Sequence, residues 1–202
     1  GGLVSPYMAI IAPDNVVGVH INMCAAPSTN DPEEAANRGV MPGPMALTTE
    51  YDGEQKGYAI IKGLKPDQLA FALNDSPLGL AAWIVQCFYM WGDCNGDIES
   101  RFTKDDLITN AMIYWVTGSM PSAIRLYRDT MQAGRFGPPE QFVDTPTGVA
   151  QFKDIIMPKR QWAERVYNIT HWNEFANGGH FAALEEPKAF VEDVRTFFRS
   201  LR

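Results

Sequence analysis

The stretch ITHWNEFANGGHFAALEEPKAFVEDVRTFF, residues 169–198, decides the fold of this chain. It reads as a β-strand over 169–176, a sharp loop at 177–179 and an amphipathic helix with Pro187 in its first turn. Phe190, Val194 and Phe197 recur at helical spacing, so this helix should cover one face of a sheet. A strand followed by a helix that packs back onto it indicates an α/β fold.

The flanking segments extend this pattern. TPTGVAQF at 145–152 predicts a buried strand that ends at Lys153 and Asp154, and MPKRQWAERVYN at 157–168 predicts a helix. Near the start, 3–12 predicts a short apolar helix and 16–23 a buried strand. The order helix, strand, interruption, strand, helix, strand, helix predicts a doubly wound parallel sheet.

The interruption is predicted to be helical. Four segments with helical signals follow one another, at 66–74, 75–91, 103–118 and 120–132. Their starts are marked by Asp75 or Ser76 before Pro77, by Thr103 before two aspartates, and by Ser119 or Met120 before Pro121. Proline, asparagine and acidic residues between 25 and 43 predict a surface excursion. We therefore expect a core segment at 1–44, an all-helical lid at 45–140 and a second core segment at 141–202.

Composition limits the class of function. The 202 residues are 46% hydrophobic and 20% charged, which is typical of a folded globular domain. Seventeen Lys and Arg against 24 Asp and Glu, with a net charge of −7, argue against a nucleic-acid surface and favour a neutral or apolar ligand. Three cysteines without paired spacing predict reduced thiols. The chain has no initial Met and no membrane-spanning apolar run, and its start looks internal.

Two ionisable residues follow the two predicted strands of the last core segment. His180 comes after two glycines at the end of one strand, and Asp154 ends the other strand, 26 residues earlier. Neighbouring parallel strands lie about 4.8 Å apart, so their loops can bring a carboxylate to an imidazole. From position alone, His180 could equally be a hydrogen-bonded loop residue, and Asp154 a helix cap. His20 and His171 alternate with apolar residues inside strands, so we interpret both as structural.

A nucleophile is missing from these residues. A hydrolase of this plan needs a strand-turn-helix elbow of the form G-x-S/D-x-G, and the 202 residues contain none. Gly1 and Gly2 before an apolar helix resemble the far side of such an elbow, so we expect the nucleophile just before Gly1.

Four motifs together resemble the microsomal epoxide hydrolases and their insect juvenile-hormone, bacterial and fungal relatives. They are ALNDSPLGLAAWI, YWVTGSMPSAIRLY, TPTGVAQF and GGHFAALEEPKAFVEDVRTFF, in that order along the chain. The resemblance runs over nearly all 202 residues. It implies an α/β-hydrolase fold, of which this chain is the C-terminal part with its lid.

The resemblance also implies the roles of four residues. His180 matches the histidine of the GGHFAA motif, and Asp154 matches the relay acid, although many relatives have Glu in an FPxE context where this chain has QFKD. Tyr58 and Tyr127 match the two lid tyrosines that hold the epoxide oxygen. The implied reaction forms an alkyl-enzyme ester on an aspartate and hydrolyses it to a vicinal diol, with no metal or organic cofactor.

Several expectations follow. The substrate should be a small apolar epoxide, and the nucleophile should come from a segment in the same or another chain, without which this chain should be inactive. The exposed apolar edge and faces of the sheet should be covered, whereas a homodimer and the location, cytoplasmic or membrane-associated, are left open. The alternatives are an esterase, a haloalkane dehalogenase or a binding chain without catalysis. The proposal requires all four side chains to share one hollow.

Overall fold

The computed structural model describes residues 1–26 and 54–202 of the chain. These residues form two compact units, one built from 1–26 and 137–202 and the other from 54–136. The predicted surface excursion, apart from its first two residues, and the predicted boundary at 44 and 45 lie outside the described residues.

The described elements alternate as an α/β chain with a helical middle. The strands are β1 (Val19–Ile21), β2 (Val143–Gln151) and β3 (Tyr167–Glu174). The helices are α1 (Val4–Ile11), α2 (Glu54–Leu64), α3 (Pro66–Asp75), α4 (Pro77–Trp91), α5 (Lys104–Thr117), α6 (Met120–Gln132), α7 (Arg160–Ala163), α8 (Ala182–Glu185) and α9 (Pro187–Arg199). Short 3-10 turns lie at Pro13–Asn15 and Ile98–Ser100.

The first unit is a parallel sheet with the strand order β1-β2-β3. His20 of β1 pairs with Gly148 of β2, which pairs in turn with His171 of β3, so the two histidines flank a glycine across the sheet. The register of β2 against β3 is irregular between Val143 and Gly148. Pro146 lies in that interval and has no N–H to donate, which accounts for the break. The predicted α/β class is confirmed.

Two of the predicted elements differ from the structure. The strand predicted over 16–23 is only three residues long, because β1 pairs with β2 only over Val19–Ile21. The helix predicted over 157–168 was wrong beyond one turn, since α7 spans only Arg160–Ala163. The chain leaves α7 where Val166 and Tyr167 become buried in the sheet core, with exposures of 7% and 1%. Burial of these strand-favouring side chains outweighs local helix preference.

The core of the first unit lies between α1 and the sheet. Its buried members come from the helix, all three strands and the connection through α7: Ala9, Val19, Ile21, Cys24, Val143, Val149, Ala163, Val166 and Tyr167. Burial of each large apolar side chain contributes about 1.5–3 kcal/mol to folding. The Tyr167 hydroxyl donates to the carbonyl of Ala25 at 2.9 Å, so this buried phenol is satisfied.

Helix α9 packs against the sheet beside Gly148. Phe197 is 1% exposed, and a Cβ added at Gly148 would lie 2.8 Å from its Cδ2 atom. The predicted apolar face is only partly correct, because Val191 is 40% exposed whereas Asp193 is 4% exposed. A carboxylate therefore lies inside the interface that the sequence predicted to be apolar.

The second unit consists of helices α2 to α6. The Ser76 hydroxyl accepts from the Gly79 amide at the start of α4, and Thr103 forms a reciprocal capping box with Asp106 at the start of α5. Both starts were predicted from sequence, whereas α2 was not recognised as a separate helix. Phe88 of α4 and Phe102, which lies just before α5, pack edge to face with ring centroids 4.9 Å apart, so this contact joins the two helices.

Among the described residues, no helix is long and apolar enough to cross a membrane.

Candidate active site

The loops that follow β2 and β3 are joined side by side. The Phe175 amide donates to the Gln151 carbonyl at 2.8 Å, and the Lys153 amide donates to the Gly178 carbonyl at 3.0 Å. The rings of Phe152 and Phe175 stack between the loops, with centroids 4.4 Å apart and planes 8° from parallel. These contacts extend the sheet pairing beyond the strands and hold the acid loop against the histidine loop.

Gly178 allows the histidine loop to turn. Its φ of +93° lies in the region that only glycine adopts without strain. A Cβ there would also lie 2.9 Å from Phe152 Cδ1. The first glycine of the GGH sequence is therefore needed both for the turn and for the close approach of Phe152.

His180 and Asp154 form a hydrogen-bonded pair on these loops. Imidazole Nδ1 lies 2.7 Å from Asp154 Oδ1, which also accepts the Ile155 amide at 2.7 Å. The Asp154 side chain has no exposed area, whereas that of His180 is 26% exposed. Because a carboxylate only accepts, Nδ1 carries the proton, and in the neutral ring Nε2 is left as the basic nitrogen. The pair can orient a base and stabilise it after it takes a proton.

Glu185 braces the backbone on both sides of His180. Its Oε2 atom accepts the Gly179 amide and its Oε1 atom accepts the Phe181 amide, each at 2.9 Å. Glu185 is 8% exposed, so this bidentate clamp is shielded from water. Sequence reasoning missed it, although an acid five residues after the histidine, among apolar neighbours, was a usable signal.

Tyr58 of α2 and Tyr127 of α6 meet within the second unit. Their rings pack edge to face with centroids 5.9 Å apart, and Trp83 stacks on Tyr58 at 5.1 Å. Lys62, one helical turn after Tyr58, donates to the Tyr58 hydroxyl at 2.8 Å. The sequence pointed to the two tyrosines only through the family resemblance, and it did not point to Lys62.

Burial keeps both phenols protonated. The pKa of Tyr58 is raised, first by desolvation and then by the nearby Tyr127 and Cys87. The pKa of Tyr127 is also raised, mainly by desolvation, against a hydrogen bond with Tyr58 that lowers it. At neutral pH both side chains are therefore hydrogen-bond donors, the state needed to bind a ligand oxygen.

The structure thus brings the four candidate residues together as two pairs. His180 and Asp154 form one pair in the first unit, and Tyr58 and Tyr127 form the other in the second unit. Two further aromatic residues of the second unit, Phe88 and Trp91, are buried, at 3% and 8% exposure.

A second cluster of ionisable residues lies under α9. His20 Nε2 is 2.7 Å from Asp193 Oδ2, and His171 Nε2 is 2.8 Å from Asp193 Oδ1, which also accepts from Asn173 Nδ2. Within the described part of the chain, these two histidines and the aspartate are the only group whose ligand atoms converge closely enough for a metal ion. The Asp193 carboxylate contacts both imidazoles, and the resulting hydrogen-bond network ties α9 to the sheet.

The pKa values in this cluster shift in one direction. The pKa of His20 is lowered by burial, which outweighs the opposing effect of Asp193. Burial also acts to raise the pKa of Asp193, but hydrogen bonds from Asn173, His20 and His171 hold it below its usual value. The neutral His20 imidazole therefore donates to an ionised carboxylate. An acid in the apolar stripe of α9 was the signal in the sequence.

The chain has the fold of an α/β-hydrolase, in which an acid and a histidine follow neighbouring parallel strands and the helical unit forms the lid. No protein-family model matches the sequence. The juvenile hormone epoxide hydrolase from the silkworm Bombyx mori matches with a TM-score of 0.78 and 29% identity, over 100% of this chain and 47% of that one.

The chain is homologous to epoxide hydrolases of the microsomal and juvenile-hormone types. Epoxide hydrolase 1 of Oryctolagus cuniculus is 34% identical over 98% of this chain and 49% of its own length. Juvenile hormone epoxide hydrolase 1 of Ctenocephalides felis is 30% identical over 100% of this chain and 48% of its own length. The chain spans about half the length of the curated relatives it matches, and the resemblance seen in the sequence is confirmed.

Proposed function

We propose that this chain is the part of an epoxide hydrolase that supplies the general base, the acid that orients it and the lid tyrosines. The observation that carries the proposal is the 2.7 Å contact between His180 Nδ1 and Asp154 Oδ1, with the acid buried and the imidazole partly open. The homology to epoxide hydrolases selects this reaction among those that an α/β-hydrolase can perform.

The first half of the proposed reaction opens the ring. An aspartate outside these 202 residues attacks one epoxide carbon, and the C–O bond to that carbon breaks as the alkyl-enzyme ester forms. Tyr58 and Tyr127 donate hydrogen bonds to the ring oxygen, which gains negative charge in the transition state. Their buried, protonated state suits this role, because the donation strengthens as the charge develops.

The second half hydrolyses the ester. His180 Nε2 takes a proton from water, the hydroxide attacks the ester carbonyl, and the ester C–O bond breaks; the two water protons end on the two diol oxygens, which restores the imidazole and the aspartate. Asp154 holds the imidazole in the required tautomer and stabilises the imidazolium that forms. An apolar epoxide fits the acidic, aromatic-rich composition better than an anionic substrate.

We also propose the division of the chain into core residues 1–44, lid residues 45–140 and core residues 141–202. The two compact units of described residues support a helical insert between two core segments.

A trapping experiment tests the function. The full-length protein that contains this chain is mixed with styrene oxide, and the intact protein mass is measured over time. We expect His180→Gln to accumulate an adduct of one substrate mass, because ring opening continues while ester hydrolysis stops.

Matched variants separate the two halves of the reaction. In the His180→Gln background, Tyr58→Phe combined with Tyr127→Phe should prevent the adduct, since both hydrogen-bond donors to the ring oxygen are then lost. His20→Gln serves as the histidine control and should form no adduct, because His20 lies under α9 and not on the catalytic loops. Unchanged diol production in the double tyrosine variant, or no adduct in His180→Gln, would contradict the proposal.

A further inference from the structure

Lys62 is a buried cation among the lid tyrosines. Its side chain lies on α2 with 4% exposure, and Nζ donates to the Tyr58 hydroxyl at 2.8 Å. Nζ also lies 3.5 Å from the ring centroid of Tyr127 and 4.1 Å from that of Tyr58. One ammonium group therefore contacts both residues to which the proposed function assigns the epoxide oxygen.

The packing of α2 against α6 holds Lys62 in this place. A Cβ added at Gly63 would lie 2.2 Å from Met131 Sδ, so the absence of a side chain at Gly63 lets the two helices approach closely. On α4, Trp83 stacks on Tyr58 and Trp91 meets its ring edge to face at 4.8 Å. The Tyr58 ring is thus held by aromatic rings on two sides, and its hydroxyl contacts Lys62, Tyr127 and Cys87.

Stability alone does not account for a lysine at position 62. Among the described residues no carboxylate pairs with it, and the groups that face it are Tyr58, Tyr127 and Cys87 of α4. Burial lowers its pKa to about 7, so the position disfavours the charge that it holds. A methionine would fill the same space without that desolvation cost. A buried lysine at this position therefore points to a role at the tyrosine pair.

We propose, on the basis of the proposed function, that Lys62 is a positioning residue that aims the Tyr58 hydroxyl at the ligand oxygen. An ammonium group has only donors, so Tyr58 Oη accepts from Nζ, and its own proton is directed away from Lys62, to the side of Tyr127 and Cys87. The positive charge also withdraws electron density from the phenol oxygen and strengthens its donation. Lys62 thus acts on the epoxide through Tyr58 without touching it.

Binding of an unreactive ligand tests this role apart from turnover. Phenylacetamide has an apolar ring and a carbonyl oxygen that can accept two hydrogen bonds, and it cannot be opened by a nucleophile. Its affinity for the full-length protein is measured by calorimetry between pH 6 and 8.5, with the melting temperature of each variant as the test of folding. Lys65→Met is the matched control, because Lys65 is exposed and lies three residues away.

We expect Lys62→Met to melt no lower than the wild type and to bind phenylacetamide about tenfold more weakly at pH 6, the loss of one charge-assisted interaction. Lys62→Gln, which keeps a donor without charge, should fall between the two. Wild-type affinity should decline as the pH rises through about 7, where Lys62 loses its proton, and the Lys62→Met variant should lack this decline. A purely structural lysine would not produce that difference.

Equal affinity and equal pH dependence of Lys62→Met and the wild type would overturn the role of Lys62. In that case, weaker binding by Tyr58→Phe would still support the proposed function. If Tyr58→Phe binds phenylacetamide as the wild type does, the assignment of the lid tyrosines fails instead.

Discussion

Replacing Asp193 tests whether its buried hydrogen-bond network holds α9 on the sheet. In Asp193→Ala, three donors lose their acceptor: His20 Nε2 at 2.7 Å, His171 Nε2 at 2.8 Å and Asn173 Nδ2. The side-chain exposure is 1% for Asp193, 4% for His20 and 17% for His171. Water can therefore replace the lost contact at His171 but not at His20.

The expected loss in free energy of unfolding follows from this burial. Hydrogen bonds to a charged group contribute about 1.5–3 kcal/mol each, and Asp193→Ala removes three of them, so with partial replacement by water at His171 the loss should be about 3–5 kcal/mol. We expect Asp193→Ala to lose about that much free energy of unfolding in urea titrations of the full-length protein. Asp193→Asn keeps the side-chain volume but places the amide NH2 group against the N–H of one imidazole. This variant should lose about 1–3 kcal/mol of the free energy of unfolding.

Glu192 provides the control for this experiment. It is the neighbouring acid on α9 and it is exposed, so Glu192→Ala should change stability by less than about 0.5 kcal/mol. A loss below about 1 kcal/mol in Asp193→Ala would refute the reasoning, since an intact α9 interface would then not depend on the carboxylate.

Three further predictions concern pH, packing and catalysis. The pKa values of His20 and Asp193 are both lowered in the folded state, so the unfolded chain binds more protons. The stability that these groups contribute is therefore complete above pH 6.5 for His20 and above pH 3.8 for Asp193, and it is lost as the pH falls through the lower pKa of the folded state. Urea midpoints from pH 8 to pH 3 will measure this loss. Gly148→Ala should lose about 1–3 kcal/mol in the same titration, because the new Cβ meets Phe197 at 2.8 Å, while Gly137→Ala, with open space around it, should lose almost nothing. Asp154→Asn should slow ester hydrolysis about 10²–10⁴-fold in single-turnover experiments and leave ring opening unchanged; equal slowing of both steps would contradict its role as orienting acid.

Much of the first unit could be predicted from local pattern. The apolar run at 145–152 and its partner at 169–176 became β2 and β3, shifted by about two residues, because buried parallel strands need continuous apolar segments. The carboxyl ends of such strands meet at one edge, which is why Asp154 and His180 could be paired before their contact was seen.

Other features depend on contacts between distant segments and leave weaker marks in the sequence. In the sequence, Asp193 only interrupts the apolar stripe of α9. Its role as a hydrogen-bond acceptor depends on His20, which lies 173 residues away in the sequence. Nothing in the local sequence distinguishes Lys62 from a surface lysine. Its contact with the Tyr127 ring forms only because α6 packs against α2. The short α7 is a further case, because burial of Tyr167 in the sheet overrides the helical pattern around it.

The carboxylate clamp at Glu185 has a consequence for altering selectivity. The contact of Asp154 with the His180 ring and the contacts of Glu185 with the two flanking amides come from a stretch of about thirty neighbouring residues in the first unit. The helical insert contributes none of these contacts. Protein engineers could therefore exchange the helical unit to alter ligand selectivity and leave the residues that form these contacts in place.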